Sequence, residues 1–435
     1  MELDDFLQRS EEVKKTVEKF KNPLVVHHYD CDGITSGAIT IKALQNMNKP
    51  YRNKVYKKLD EQAIKELEKE KEIIFVDLGG GTELVNELNG EIVIIDHHQT
   101  KNIKHLQINP ELFGFDGSLG LSASGTAFFT FKNNSDLAVV GALGDVQYPF
   151  RELNLNLLEE AIQRNEIEKT QDITLYGRGA RPLTQFLLYS DSPYLPGISN
   201  SENGTKAFLE STGITLKDKT SEKWKTYYDL NENEKKVLIN NLVSYLCDKN
   251  LSDYSKKLIG EVYLLKNRPI NCEMYDAVEF STILNACGRN NRTDIGLGVC
   301  LDHDTYYEEA KNLLLVHRRN LRDGVQYAKN HIEDFGKFYF IDARGIIDES
   351  IIGVVAGMLL SKRDKPLIAA SLDDSGKIKL SSRLLDKESE INLGDILKEV
   401  SAQLEGVGGG HKFAAGCTIP NNKINEFLLE LNKHL

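Results

Sequence analysis

The stretch Pro23-Leu24-Val25-Val26-His27-His28-Tyr29-Asp30-Cys31-Asp32-Gly33 decides the fold class. A short apolar, β-branched run breaks abruptly into histidines and aspartates, and a helical pattern begins near Thr35. A buried parallel strand reads this way, because both of its faces are covered and its polar residues fall beyond its carboxyl end. The same change recurs downstream. Ile73 to Val76 runs into Asp77-Leu78-Gly79-Gly80-Gly81, Ile92 to Ile95 into Asp96-His97-His98, and Leu137 to Leu143 into Gly144-Asp145. The segments between these four strand candidates are long enough for crossover helices, so the spacing predicts βαβ units and an α/β, doubly wound parallel sheet.

Composition frames that reading. The chain has 435 residues, 40% hydrophobic and 27% charged, which suits two or three globular domains and excludes a disordered or collagen-like chain. The longest apolar runs, such as Gly353 to Leu360, fall far short of the roughly 18 residues of a membrane span. The acidic N-terminal stretch is unlike a signal peptide. A soluble, cytoplasmic protein without a membrane partner is expected. Cys31, Cys247, Cys272, Cys287, Cys300 and Cys417 lie at least 13 positions apart, so they form no CxxC pair and read as reduced thiols.

An amphipathic helix is expected from Asp5 to Phe20, and residues 1–195 form the sheet domain. Residues 196–257 carry the loop signals Pro196-Gly197, Asn200-Ser201 and Asn203-Gly204, then a charged helix near Asn233 to Lys249, and read as an inserted helical lobe. Residues 258–302 return to the first domain, and a long linker helix occupies 303–336. A smaller α/β domain takes 337–435, with strands at Pro366 to Ser371 and Lys377 to Ser381, a small-residue helix from Ile351 to Leu360, and the run Gly406-Val407-Gly408-Gly409-Gly410-His411.

In an open α/β sheet the carboxyl ends of the strands share one edge, and ligands bind there. Asp30, Asp32, Asp77, Asp96, Asp145 and His97 are therefore expected to converge. Taken singly, Asp30 and Asp32 read as turn or helix-cap residues, and a lone Gly-Asp carries nothing. Together they pose an electrostatic problem, since four or more unpaired carboxylates repel one another until protons or cations intervene. A mixed carboxylate and imidazole set suits Mn²⁺, Zn²⁺ or Fe²⁺ better than Ca²⁺. His105, His303, His317, His331 and His434 lack such a context and read as ordinary surface or core residues.

These residues resemble the DHH phosphoesterases, in particular RecJ-type single-strand nucleases and their archaeal relatives. The motifs are Asp30-Cys31-Asp32-Gly33-Ile34-Thr35-Ser36, Asp77, Asp96-His97-His98 and Gly141-Ala142-Leu143-Gly144-Asp145, with Ser122-Ala123-Ser124-Gly125-Thr126 between the last two. Leu284-Asn285-Ala286-Cys287-Gly288-Arg289 is similar to the LNAxGR element of RecJ. Gly-Gly-Gly-His followed by Ala414-Ala415-Gly416 is similar to the DHHA1 domain, and Gly177-Arg178 to Pro182 to archaeal members. Many relatives place a histidine where this chain has Val26; His28 is the nearest substitute.

The resemblance implies two Mn²⁺, with Mg²⁺ or Co²⁺ able to stand in, held by Asp30, Asp32, Asp77, His97 and Asp145, with His28 a further candidate and Asp77 and Asp145 bridging. Two such ions lower the pKa of a shared water and offset charge on phosphoryl oxygens. Asp96 would orient a histidine rather than bind metal, since imidazole ligands need an acceptor for their other N–H, and His98 would face the substrate phosphate. Gly408, Gly409 and Gly410 would let the backbone approach a phosphate as a glycine-rich nest does, with His411 donating to it; the other reading is a flexible turn with a capping histidine. Lys379 and Arg383 sit on one strand candidate whose alternation aims both the same way, and Arg289, on an Asn-Ala-Cys-Gly-Arg turn, is the candidate phosphate clamp. Surface salt bridging is the alternative for all three.

The expected function is therefore a metal-dependent exonuclease that hydrolyses single-stranded DNA or RNA to mononucleotides by a two-metal mechanism, in DNA replication or repair. One alternative is a phosphoesterase of short oligonucleotides, phosphoadenosine phosphate or cyclic dinucleotides. The other is a replisome scaffold of the Cdc45 type that binds GINS of the replicative helicase complex. The net charge of −11 disfavours a protein that coats nucleic acid, which needs clustered Lys and Arg. Residues 1–150 hold 17 Lys and Arg against 23 Asp and Glu, and five of those carboxylates are the motif aspartates. Lys362 to Arg383 holds six basic and three acidic residues, a short basic stretch suited to modest affinity.

Overall fold

The computed structural model describes residues 2–190, 193–218, 220, 222–360, 365–385 and 389–435, with all their side chains except those of Asp253 and His411. Lys362 and Arg363 of the basic stretch thus lie outside the described residues. The chain divides into two compact units, Met1–Leu313 and Leu314–Leu435.

The first unit opens with α1 (Glu2–Val17), then β1 (Leu24–His27), α2 (Cys31–Asn46), β2 (Arg52–Val55), α3 (Glu61–Leu67), β3 (Glu72–Val76), β4 (Glu91–Ile95) and β5 (Leu106–Ile108). The five strands make one parallel sheet in the order β2-β1-β3-β4-β5. Strand order reverses between β1 and β3, and at such a switch point the crevice beyond the carboxyl ends is where doubly wound sheets bind ligands. Leu24 to Val26, Ile73 to Val76 and Ile92 to Ile95 are buried, as the apolar runs require. The edge strands escaped the sequence reading because Arg52-Asn53-Lys54-Val55 is polar and partly exposed and Leu106-Gln107-Ile108 is only three residues long. A short, charged edge also resists pairing with another chain.

Leu137 to Leu143 is not a strand. After α4 (Ala123–Phe131) it forms most of α5 (Ser135–Gly144), in which every residue from Ser135 to Ala142 is buried. A helix buried on all sides is apolar all round, so its 3.6-residue period vanishes and the run imitates a buried strand.

Next come α6 (Glu152–Gln163) and β6 (Ile167–Ile173), which pairs antiparallel with β7 (Ile259–Leu265). Between these strands lie α7 (Leu183–Leu188), α8 (Glu202–Thr212), α9 (Glu232–Asp248) and α10 (Ser252–Leu258). This lobe has its own core, in which Leu238, Leu242 and Leu246 of α9 pack with Phe186, Leu187 and Leu209. The chain returns through α11 (Ala277–Arg289) and α12 (Thr293–Leu301) to the 28-residue α13 (His303–Asn330), within which the two units divide. The Asn285 to Arg289 segment therefore ends a helix instead of forming a turn; its apolar residues Ile283, Leu284, Ala286 and Cys287 are all buried.

The second unit contains β8 (Ile332–Asp334), β9 (Tyr339–Asp342), α14 (Ile352–Met358), β10 (Leu367–Leu372), β11 (Ile378–Arg383), α15 (Leu393–Gln403), β12 (Val407–His411), β13 (Ala414–Ile419) and α16 (Ile424–His434). Its sheet runs β12-β13-β11-β10-β9-β8, with only β9 and β10 parallel. The glycine-rich run is thus the edge strand β12, paired with β13 from Val407↔Thr418 to His411↔Ala414, and not a turn or a nest. Its small residues answer a packing need: a Cβ on Gly408 would come within 2.6 Å of the Leu397 carbonyl oxygen on α15.

One buried ion pair ties the inserted lobe to α11. Arg178 Nε donates to Asp276 Oδ2 at 2.8 Å, Nη2 contacts the same oxygen, and Nη1 donates to the Ile173 carbonyl at 2.6 Å. Glu279 of α11 accepts from the Gly177 and Gly179 N–H groups, both at 3.2 Å, and burial with Asp276 nearby pushes its carboxyl up to about 8. Removing the cation would leave the buried Asp276 carboxylate without its counter-charge. Arg178→Ala should therefore cost about 3–5 kcal/mol of stability, measured as a lower urea midpoint; a midpoint equal to that of the unaltered protein would show that the pair does not hold the lobe.

Candidate metal centre

The carboxyl ends of β1, β3 and β4 and the C-terminus of α5 meet at one place. Asp30 caps α2, its side chain accepting from Gly33 N at 3.0 Å. Asp32, in the first turn of α2 and fully buried, accepts from Ala123 N at 2.7 Å through Oδ2 and from Ser124 N at 3.0 Å through Oδ1. These donors are the first N–H groups of α4, so a helix N-terminus holds this carboxylate. Asp77 follows β3 directly with φ +58, a left-handed conformation that costs a residue other than glycine roughly 1–3 kcal/mol. Asp145 caps the C-terminus of α5, where the helix dipole disfavours an anion.

His97 lies between these acids. Its Nδ1 is 2.7 Å from the Gly117 carbonyl, which therefore takes the Nδ1 proton. In that tautomer Nε2 presents a lone pair, and it faces Asp145 Oδ2 at 3.2 Å, Asp77 Oδ1 at 3.3 Å and Asp32 Oδ2 at 3.8 Å. His28 Nδ1 stands 3.0 Å from Asp30 Oδ2 and 3.3 Å from Asp77 Oδ2. His97 Nε2, His28 Nδ1 and Asp77 Oδ1 are all buried, and none makes an aligned hydrogen bond.

Asp96 differs. Its Oδ2 accepts from Gly80 N at 2.7 Å, and its Oδ1 from His97 N and His98 Nδ1, both at 2.8 Å. Both oxygens are occupied, so Asp96 orients the His97-His98 segment. His98, half-exposed, rises to about 9, with Asp96 the main cause.

The ionisation pattern shows the strain of this crowd. Burial, with Asp77 beside it, pushes the Asp32 carboxyl up to about 6, and burial together with Asp32 raises Asp145 well above the usual carboxylate range. Asp30 goes the other way: burial opposes its charge, but His28 prevails and holds it below that range. Burial likewise opposes charge on His97 and His28, and the surrounding aspartates overcome it, raising both. Buried carboxylates pushed up by one another, around imidazoles drawn toward the charged form, are a donor set short of positive charge. That donor set fits a divalent cation. Three groupings have ligand atoms close enough to share one: Asp32 with His97 and Asp145; His28 with Asp30 and Asp77; and Asp77 with Asp96, His97 and His98.

The six residues expected to converge do so, and His28 joins them, while Val26 is buried inside β1. Asn285 Oδ1 accepts from Cys31 N at 3.1 Å, which joins α11 to the loop after β1. Arg289, at the end of that helix, has a pKa lowered by burial and raised in part by Tyr29 and Asp30. Sequence reasoning missed the Gly117 carbonyl, the Ala123 amide and Gly141. A Cβ on Gly141 would lie 2.1 Å from Ser124 Oγ and 2.6 Å from Asp32 Oδ1, so glycine there lets α5 close on Asp32. The SASG and GALGD motifs flagged these segments, but not which atoms act.

Lys379, Arg383 and Gly408 to Gly410 belong to the second unit. Lys379 and Arg383 share a face of β11. Lys379 lies 3.8 Å from Glu349, and Arg383 Nη1 donates to the Ser382 carbonyl. The His411 side chain lies outside what the structure describes.

Three family models match the chain: the DHH family N-terminal domain at residues 22–143, the DHH-CID domain at 175–259 and the DHHA1 domain at 336–435. An uncharacterized protein of Methanocaldococcus jannaschii is 28% identical over 98% of both chains. Among solved structures, Cdc45 of Entamoeba histolytica is similar with a TM-score of 0.63, 12% identity and coverage of 99% of this chain and 98% of its own. RecJ of Thermus thermophilus in complex with Mn²⁺ is similar with a TM-score of 0.62 and 16% identity over 98% of this chain; the chain spans 54% of that RecJ. With DHH, DHH-CID and DHHA1 domains in chain order on a RecJ-like fold, this chain belongs to the DHH/DHHA1 family.

Proposed function

We propose that this DHH family phosphoesterase is an exonuclease that hydrolyses single-stranded DNA or RNA to mononucleotides with divalent metal, Mn²⁺ above all. The observation that supports this best is the set of buried, unsatisfied atoms His28 Nδ1, Asp77 Oδ1 and His97 Nε2, with the Asp32 and Asp145 carboxylates beside them, at the switch point of the sheet. Asp30, Asp32, Asp77, His97 and Asp145 would hold two cations, with His28 a further ligand. Such ions, when bound, activate water and offset charge on phosphoryl oxygens. The chain's own contributions are orientation and charge. Gly117 fixes the His97 tautomer, Asp96 orients His98 so that it can donate to a substrate oxygen, and Arg289 beside the loop of Asp30 supplies a guanidinium for phosphate. In this reading Lys379, Arg383, Gly408, Gly409, Gly410 and His411 of the DHHA1 domain grip the strand.

The likeness to Cdc45 along nearly the whole of both chains favours a second role, association with GINS in the replicative helicase complex through residues 196–257. Loss of GINS pull-down on deleting that segment would support it, and undiminished pull-down would refute it.

Hydrolysis of an end-labelled 30-mer compared with a dinucleotide in Mn²⁺ tests the nuclease reading. Release of mononucleotides from the 30-mer is expected, and turnover of the dinucleotide alone would contradict it. Asp145→Ala should reduce that activity at least about a hundredfold without unfolding the protein.

A pH dependence follows from Asp32. Its carboxyl, raised to about 6, stabilises the fold while protonated, below the ordinary value near 4, and loses that contribution as pH rises through about 6. A cation gains most where the carboxylates are ionised and repel one another. The rise in Tm that Mn²⁺ gives to chelator-treated protein should therefore be larger at about pH 7.5 than at about pH 5; an equal rise at both would count against Asp32 as a ligand.

A further inference from the structure

The turn after Asp145 carries two side chains that the metal centre does not require. Val146 has φ +60, a conformation that β-branched residues avoid. Its side chain is 77% exposed, so burial does not offset the strain. The turn is firmly held: Val146 N donates to the Leu143 carbonyl at 3.1 Å, Gln147 N to Ala142 at 3.0 Å, and Tyr148 N to Val146 at 2.8 Å. Gln147 points inward and is buried. Its Nε2 donates at 2.9 Å to the Gly117 carbonyl that also fixes His97, and its Oε1 accepts from Asn154 Nδ2 at 2.7 Å.

Gln147 therefore acts as a buried lock between two exposed residues. Tyr148 is 45% exposed, and its ring leans edge-on against Tyr263 with centroids 6.4 Å apart. Phe150 packs on the same tyrosine at 5.1 Å, so Tyr148 rests against a braced ring while nearly half of its surface stays exposed. Three residues of chain keep the Cα atoms of Asp145 and Tyr148 within about 10 Å of each other, which puts Tyr148 in the neighbourhood of the Asp145 carboxylate. Strain retained on an exposed apolar residue at a reaction centre points to a contact made with substrate.

We propose that Tyr148 is the stacking platform for the nucleobase of the nucleotide whose phosphate lies at Asp145, with Val146 as the wall beside its sugar. This rests on the nuclease reading above. Every base has a π-face, so the contact tolerates any sequence, and it gives a chain with few clustered cations a way to hold a strand that does not rely on charge.

The test uses single strands with ordinary nucleotides, and matched strands with abasic units at both ends. Steady-state hydrolysis is measured in Mn²⁺. Strand binding to the Asp145→Ala protein, with and without Tyr148→Ala, gives a second readout that does not pass through chemistry. Tyr148→Ala should raise KM and Kd about tenfold on base-bearing strands and below about twofold on abasic ones, with kcat little changed. Tyr148→Trp should restore the ordinary KM. Val146→Gly should raise KM on base-bearing strands without lowering Tm, because glycine relieves the strain. Equal losses on both kinds of strand, or no loss with Tyr148→Ala, would overturn the platform. A protein that cleaves neither kind of strand before any substitution would refute the nuclease reading, and the platform with it.

Discussion

Like-charge crowding governs this molecule. A parallel sheet whose strands all end at one edge, and a helix that ends beside it, deliver Asp30, Asp32, Asp77, Asp145 and His97 into a space with too few protein donors to neutralise them. The fold meets this only in part. The first amides of α4 take both oxygens of Asp32, and His28 pairs with Asp30 and Asp77. Asp145, at the negative end of α5, receives no comparable help among the described residues. What is left over is a demand for positive charge, and it lies at the switch point of a doubly wound sheet, where such sheets place their ligands.

Other parts serve that arrangement. Gly141 lets α5 close on Asp32, Asp77 takes a left-handed conformation to turn its carboxylate inward, and Asp96, held by Gly80 N through Oδ2, orders the segment of His97 and His98 through Oδ1. The Gly117 carbonyl serves twice, fixing the His97 tautomer and anchoring Gln147. Each bond positions a candidate ligand atom through a neighbour, the kind of support that metal centres generally require. Arg178 and Asp276 do the same on a larger scale, joining the lobe between β6 and β7 to the helix that carries Asn285 and Arg289.

Much of this was legible in the sequence, for physical reasons. The central strands announced themselves because burial on both faces makes them wholly apolar, and their polar termini marked the site. Those cues fail where burial erases periodicity, as in α5, and where a strand is short and polar, as in β2 and β5. The glycine run from Gly408 to Gly410 read as loop because propensity ignores the helix α15 packed against it. Backbone contributions, such as the Gly117 carbonyl and the Ala123 amide, left no trace because any residue can supply them. Val146 and Tyr148 went unnoticed because exposure is not written in residue type.

The central claim is that this cluster is a divalent-cation site, and titration with Mn²⁺ followed by electron paramagnetic resonance tests it most directly. The free-ion signal should be suppressed until about two equivalents have been added, and Asp77→Asn, which touches both the His28 and the His97 groupings, should give up at least one of them while remaining folded. A signal that grows in proportion to added Mn²⁺ from the first aliquot, or suppression unchanged by Asp77→Asn, would contradict the account.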